Sequence, residues 1–301
     1  MTAAPDTGYS LVLRLAAPVQ SWGGHSEFNR RDTQVEPTKG GVLGLLAAAQ
    51  GRRRADPIED LLGLRLAVRT DRPGTLLRDY HTASDHRQRP LPSAQVTAKG
   101  TQKPTSPAKY TYVTQRFYLQ DAVFLAAVGG PVPLLTALAE ALRRPAFPLA
   151  LGRRSCPPTQ PLLLAAARDQ AEHAAGLDPA LWVESAEHVL CHIAWQASET
   201  ARATVRREAT RQRRPVPTTI DLPITADAPP DVGPGEHGTA YDVRADVPRS
   251  FDPLHRGFTS RRVQQLWARD IPTGLIDERS DTAATVAGDT AAHDPFALLG
   301  W

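Results

Sequence analysis

Gly152-Arg153-Arg154-Ser155-Cys156-Pro157 sets two adjacent arginines between a glycine and a proline-punctuated loop, directly after an apolar run. Arginine offers a fixed fork of donors that fits phosphate oxygens, and flanking Gly and Pro restrict where the fork points. The string reads as an anion clamp, against the plainer alternative of two solvated arginines beside a turn. Lys39 is a second cation of interest, since Thr38 is placed to cap a helix and Lys39 falls in its first turn. A cation there works against the helix dipole but can join unpaired N–H groups in holding a phosphate. No nucleotide P-loop pattern accompanies it.

Acid–base chemistry has fewer candidates. Tyr80, His81 and His86 stand near Lys99 and Lys103, and histidine with lysine can serve metal-free RNA cleavage, although nothing in the spacing demands it. Cys156 follows two cations that would favour its thiolate, but no dedicated base accompanies it, and packing beside a turn is the expected role. His188, Cys191 and His192 invite a metal reading. Val189, Cys191, Ile193 and Trp195 alternate, however, and predict a strand over 188–196, where four residues span roughly 13 Å, too far for one ion to bridge both rings. No catalytic residue, metal or cofactor is therefore assigned.

The elements that must position these groups follow from apolar spacing. Leu11 to Leu15 reads as a central strand, closed by Pro18 and Gly23-Gly24. Val42, Leu45, Leu46 and Ala49 give a helix, as do Leu135, Leu138, Ala139 and Leu142. Strands are predicted over 64–69, 76–81, 110–113, 116–119 and 121–128. With the strand over 188–196 the order is βαββαβ, an α+β, ferredoxin-like arrangement shared by many RNA-recognition domains. The polar, cationic stretch between the middle strands reads as a basic β-hairpin thumb over about 82–115. The whole divides into a core domain over 9–196, a basic, Pro/Gly-rich insertion or linker over 197–238, an element over 239–270 packing on the core, and a mobile acidic tail over 271–301.

With 301 residues, 41% of them hydrophobic, the chain can bury a full core. Its pI near 9.0 conceals a formal net charge of only +3, so the placement of charge matters more than its sum. Cations concentrate over 72–116 and 202–214, which suggests a polyanion partner. Trp22, Tyr80, Tyr110 and Tyr112 lie near cations and are placed to stack on unpaired bases. Two cysteines are too few for a disulfide framework, no signal peptide precedes Tyr9, and no apolar stretch is long enough to span a membrane, so a cytoplasmic location without membrane attachment is expected.

Four strings, 11–23, 37–46, 77–82 and 151–157, together resemble the CasD family, whose members hold the 5′ handle of the guide RNA (crRNA) in type I-E CRISPR Cascade. The resemblance runs over roughly 9–195, with a weaker echo at 258–267. It implies an RNA-recognition-like core with a thumb inserted between strands, and a non-catalytic subunit with no cofactor. The partners it implies are the crRNA 5′ handle, the CasC backbone subunit and the CasA large subunit, with target DNA met only through the assembled complex. Matched positions are Lys39, Arg78, Arg153 and Arg154 for phosphates, and Trp22, Tyr80 and His81 for bases or a pocket. Arg87, Arg89, Lys99 and Lys103 suit thumb contacts by charge character alone. CasD-like proteins of another subtype process precursor crRNA, so a metal-independent endoribonuclease is the alternative. A small-molecule phosphate-binding enzyme lacks any cofactor fingerprint.

Overall fold

The structure is a computed structural model that describes residues 8–24, 29–98, 100–165, 177–229, 241–252, 255 and 257–275. In chain order the elements are β1 (Ser10–Ala16), β2 (Val19–Gln20), β3 (Arg30–Arg31), α1 (Lys39–Ala49), α2 (Glu59–Leu62), β4 (Arg65–Arg72), β5 (Thr75–Ser84), β6 (Pro92–Val96), β7 (Gln102–Pro104), β8 (Thr111–Gln120) and β9 (Val123–Gly129). There follow α3 (Val132–Arg143), β10 (Leu163–Leu164), β11 (Leu181–Trp182), α4 (Ala186–Val189), α5 (Glu199–Arg211), β12 (Thr219–Asp227), β13 (Asp242–Ser250) and β14 (Gly257–Pro272).

The fold is mixed α/β around a mostly antiparallel sheet. Its main sheet runs β10–β1–β9–β4–β12–β14–β13, every neighbour antiparallel, with β11 also on β1. β1 and β9 pair continuously from Ser10↔Gly129 to Ala16↔Val123. Every residue of β9 is buried, as a near-continuous apolar run requires of a strand covered on both faces. One face packs Leu11, Leu13 and Leu15 beneath α1 and α3. Leu135, Leu138, Ala139 and Leu142 are buried along α3 as their spacing predicts. The other face carries Val12, Ala67, Leu125 and Ala127, roofed by Trp182, Val189, Ile193 and Trp195.

A second sheet centres on β8, with β5 along one side and β2 and β3 on the other. β5 and β8 pair over ten residues, from Thr75↔Gln120 to Ser84↔Thr111. The expected thumb over 82–115 thus covers the distal part of a ribbon that springs from Thr75.

Three sequence expectations are corrected. No strand forms over 188–196: Ser185 caps the short helix α4, and turns follow because the Arg69 guanidinium, reaching from β4, draws in the carbonyls of Leu190, Ile193 and Ala194. β10 and β11 take the place beside β1 instead. Of the insertion or linker expected over 197–238, the linker alternative is corrected: the segment holds α5 and β12, and β12 lies inside the sheet between β4 and β14 because Leu222, Ile224 and Ala226 alternate into its second apolar layer. Ile271 and Leu275 are buried, so packed structure extends past 270; the rest of the expected tail, 276–301, lies outside the described residues.

Candidate nucleic-acid interface

The register of the second sheet sorts the predicted residues. Leu77, Asp79 and His81 stand opposite Tyr118, Arg116 and Thr114 on one face, and Arg78 and Tyr80 stand opposite Phe117 and Gln115 on the other. An open cavity of about 400 Å³ lies at the root of the ribbon, lined by the 77–80 stretch with Val19, Tyr118 and Ser155. Arg78 is exposed with no side-chain partner among the described residues, and Tyr80 is 62% exposed. The His81 Nδ1 lies 3.1 Å from the Thr114 hydroxyl.

The arginine loop reaches this cavity through Ser155. Gly152 has φ +85°, and a Cβ there would sit 1.8 Å from the Ser21 carbonyl oxygen, so only glycine fits. Leu151 donates to the Cys156 carbonyl at 2.7 Å and Cys156 to the Arg153 carbonyl at 2.9 Å, which closes the loop on itself. The two arginines then part company. Arg153 turns inward, donating to the carbonyls of Phe117 (3.0 Å), Arg31 (2.6 Å) and Asp32 (3.1 Å) with its guanidinium 5.0 Å above the Tyr118 ring. Arg154 is exposed and meets no side-chain partner among the described residues. The paired clamp is therefore corrected to one outward arginine held in place by its neighbour.

Two further assignments are corrected. Trp22 is fully buried, its indole N–H donates to Gln20 at 3.2 Å, and a Cβ on Gly41 would stand 2.8 Å from its ring. That indole packs α1 against the sheet and has no face for a base. Lys39 is 6% exposed, with its ammonium 2.8 Å from Asp227 and its backbone N–H 2.8 Å from Asp246. The anions at this helix start are the protein's own carboxylates.

Within the stretch expected as a thumb, Arg89 pairs with Asp85 at 3.0 Å, the Arg87 backbone N–H donates to the same carboxylate, and Lys103 is exposed on β7. Lys99 lies outside the described residues. Cys156 is buried and burial pushes its thiol up, which opposes a nucleophilic role. Among the described residues no three His, Cys, Asp or Glu side chains gather as a metal site, and no helix is long and apolar enough to cross a membrane.

The register also brings in residues the sequence reading missed. Arg31 and Arg116 are partners across the β3–β8 bridge, and the Arg30 guanidinium lies 4.8 Å above the Phe117 ring while pairing with Asp32. A two-residue strand has no periodicity by which to find it.

Residues 10–264 match the family model for Cas5, described as a CRISPR-associated protein. The CRISPR system Cascade subunit CasD of Escherichia coli (strain K12) is 36% identical over 171 residues, which cover 51% of this chain and 69% of that protein. A chain of a CRISPR RNA-guided surveillance complex superposes with a TM-score of 0.61 at 30% identity, covering 90% of this chain and 96% of its own. A second structure, a Cas protein, gives a TM-score of 0.55 at 29% identity over 88% and 98% of the two chains.

Proposed function

Because the chain belongs to the Cas5 family of CRISPR-associated proteins, we propose that it is the non-catalytic Cascade subunit that binds and caps the 5′ handle of the crRNA. The observation that carries this reading is the gathering of Arg78, Tyr80 and the Arg154 loop around the cavity where the ribbon meets the core. Arg78 and Arg154 supply phosphate contacts, Tyr80 a stacking ring and His81 a hydrogen-bonding edge. The order β10–β1–β9–β4, with α1 and α3 on one face, supports a ferredoxin-like core. RNA-recognition domains of that order bind bases on the helix-free face, which here is roofed by Trp182, Val189 and Trp195, so the handle approaches from the thumb side.

In this reading the thumb reaches the CasC backbone subunit, the core adjoins CasA, target DNA is met through the assembled complex, and the protein works in the cytoplasm. A test is to incubate the purified protein with labelled repeat RNA in the absence of metal. Intact RNA, bound more tightly than a version with a shuffled handle, is the expected result. A discrete handle-bearing cleavage product would overturn it in favour of a metal-independent endoribonuclease.

A further inference from the structure

Residues 199–214 hold six arginines against two glutamates, and the proposed handle site uses none of them. Helix α5 begins at Ser198, whose hydroxyl accepts from the Ala201 N–H. Ala201 and Ala209 are its buried residues, and Val205, partly buried between them, packs against the second apolar layer. These are small contacts, and the rest of the helix is partly or fully exposed to solvent. Arg202 faces inward, donating to the carbonyls of Trp195 and Thr273 with its guanidinium 5.5 Å above the Trp195 ring. Arg206 and Arg211 pair with Glu199 and Glu208 at 2.7 Å. Among the described residues Arg207 reaches only groups of its own helix, the Ala203 carbonyl and the Thr204 hydroxyl. Arg213 and Arg214 are exposed with no side-chain partner among the described residues.

The helix ends in a way that stability alone does not account for. Arg213 donates to Thr210 at 3.1 Å and Arg214 to Ala209 at 2.9 Å, the two bonds of a Schellman ending. The residue after the cap is then left-handed, and Arg213 has φ +54°. Glycine or asparagine is the ordinary occupant, because a Cβ is strained there. A cation near a helix C-terminus gains from the dipole, but Arg211 already occupies the last turn and that gain does not require the strained position. Arginine at the left-handed position, followed by a second exposed arginine, places two uncompensated guanidinium groups at the end of the helix, with Arg207 inside its C-terminal half. Arg213 and Arg214 stand roughly 20 Å along the axis from Ser198, which lines a groove with Pro18, Gln120 and Asp121 at the base of the β5–β8 ribbon.

We propose that Arg207, Arg213 and Arg214 form a second polyanion-binding surface, one that takes the phosphodiester backbone of nucleic acid outside the handle. Guanidinium forks suit phosphate oxygens, and contacts of this kind carry affinity without sequence preference.

The test uses the full-length protein, the single variant Arg213→Gly and the triple variant Arg207→Gln with Arg213→Gly and Arg214→Gln. Binding is titrated with salt against double-stranded DNA of unrelated sequence, unrelated single-stranded RNA, and handle RNA beside its shuffled form. The triple variant should bind at least one unrelated probe about tenfold more weakly near ~0.1 M salt, with the log–log salt slope reduced by about 2–3. A loss with the duplex assigns the surface to DNA, and a loss with the single strand assigns it to RNA. The preference for handle over shuffled RNA should not change, which separates this surface from the handle site. Arg213→Gly should raise Tm while lowering binding, so the loss is not one of misfolding. Unchanged binding and slope with both unrelated probes would overturn the proposal. So would weakened assembly with the partner subunits at unchanged nucleic-acid affinity, which would assign the arginines to an acidic protein surface.

Discussion

The Arg69 guanidinium and the Asp71 carboxylate meet fork to fork inside the protein, Nε to Oδ1 at 2.7 Å and Nη2 to Oδ2 at 2.9 Å, with neither side chain exposed. Both lie on β4, where a register shift between Thr70 and Arg72 marks a bulge. Around the pair every guanidinium N–H is used. Arg69 donates to the carbonyls of Leu190, Ile193 and Ala194, Asp71 accepts from the Gln196 N–H, and the Trp195 indole donates to the Asp71 carbonyl. The pair fastens the 190–196 turns over the sheet, and Ser198 starts α5 from there.

Asp71→Ala is therefore expected to cost about 3–5 kcal/mol in chemical denaturation, because it strands a buried guanidinium without its counter-charge. A loss below about 1 kcal/mol would show that the turns are held by apolar packing alone.

That fastening also explains which parts of the fold were legible in the sequence. α1 and α3 announce themselves by apolar residues at helical spacing, and β1, β4 and β9 by short apolar runs. The alternation of Val189, Cys191, Ile193 and Trp195 looks like a strand, but these residues reach one apolar layer through turns that Arg69 organises from some 120 residues away. β12 was hidden because Pro223 and the threonines interrupt its apolar run. In the candidate site, Arg78, Tyr80 and His81 sit on a legible strand. The partners of Lys39 and Arg153 are long-range, and a single sequence does not record them. Arg153 and Arg154 are chemically identical, and only the left-handed turn at Gly152 sends one inward and the other outward.

Acid should loosen the contact between α1 and the sheet. Burial alone would push the Asp227 carboxyl up, but Lys39 and Arg261 outweigh it and hold the group below the ordinary carboxylate value. A depressed folded-state value means that the unfolded chain takes up the proton first. The stabilisation is then whole above about pH 4, the ordinary aspartate value, and is lost as pH falls further towards the folded value. Asp227→Asn should melt below the wild type at neutral pH, and the gap should narrow once pH drops below about 4. A gap independent of pH, measured by thermal melts across that range, would remove the ion cluster as its cause.

The two arginines of the loop should separate experimentally. Arg154→Ala is expected to leave Tm unchanged, weaken handle binding and lower the log–log salt slope by about 1. Arg153→Ala removes the donors to three carbonyls and should cost about 1–2 kcal/mol of stability, with handle binding falling through displacement of the loop. Equal effects of both variants on Tm and on slope would contradict the division of labour.

Gly152 makes the sharpest demand. Its φ of +85° is strained for any residue with a side chain, and the added carbon would lie 1.8 Å from the Ser21 carbonyl oxygen, which is backbone and has nowhere to retreat. Ser21 is held in turn, its N–H on the Leu151 carbonyl at 3.2 Å and its hydroxyl on the Phe117 carbonyl at 3.0 Å. Relief of the clash must therefore move the 151–156 loop, and Arg153 would lose its hold on β3 and β8. Gly152→Ala is expected to destabilise by about 2–4 kcal/mol, the sum of left-handed strain and lost hydrogen bonds. At a temperature where the variant is still folded, it should also bind the handle more weakly than Arg154→Ala, because it displaces Arg154 and breaks the cavity wall at Ser155 together. Handle affinity equal to that of the wild type in a folded Gly152→Ala protein would mean that the loop takes no part in binding.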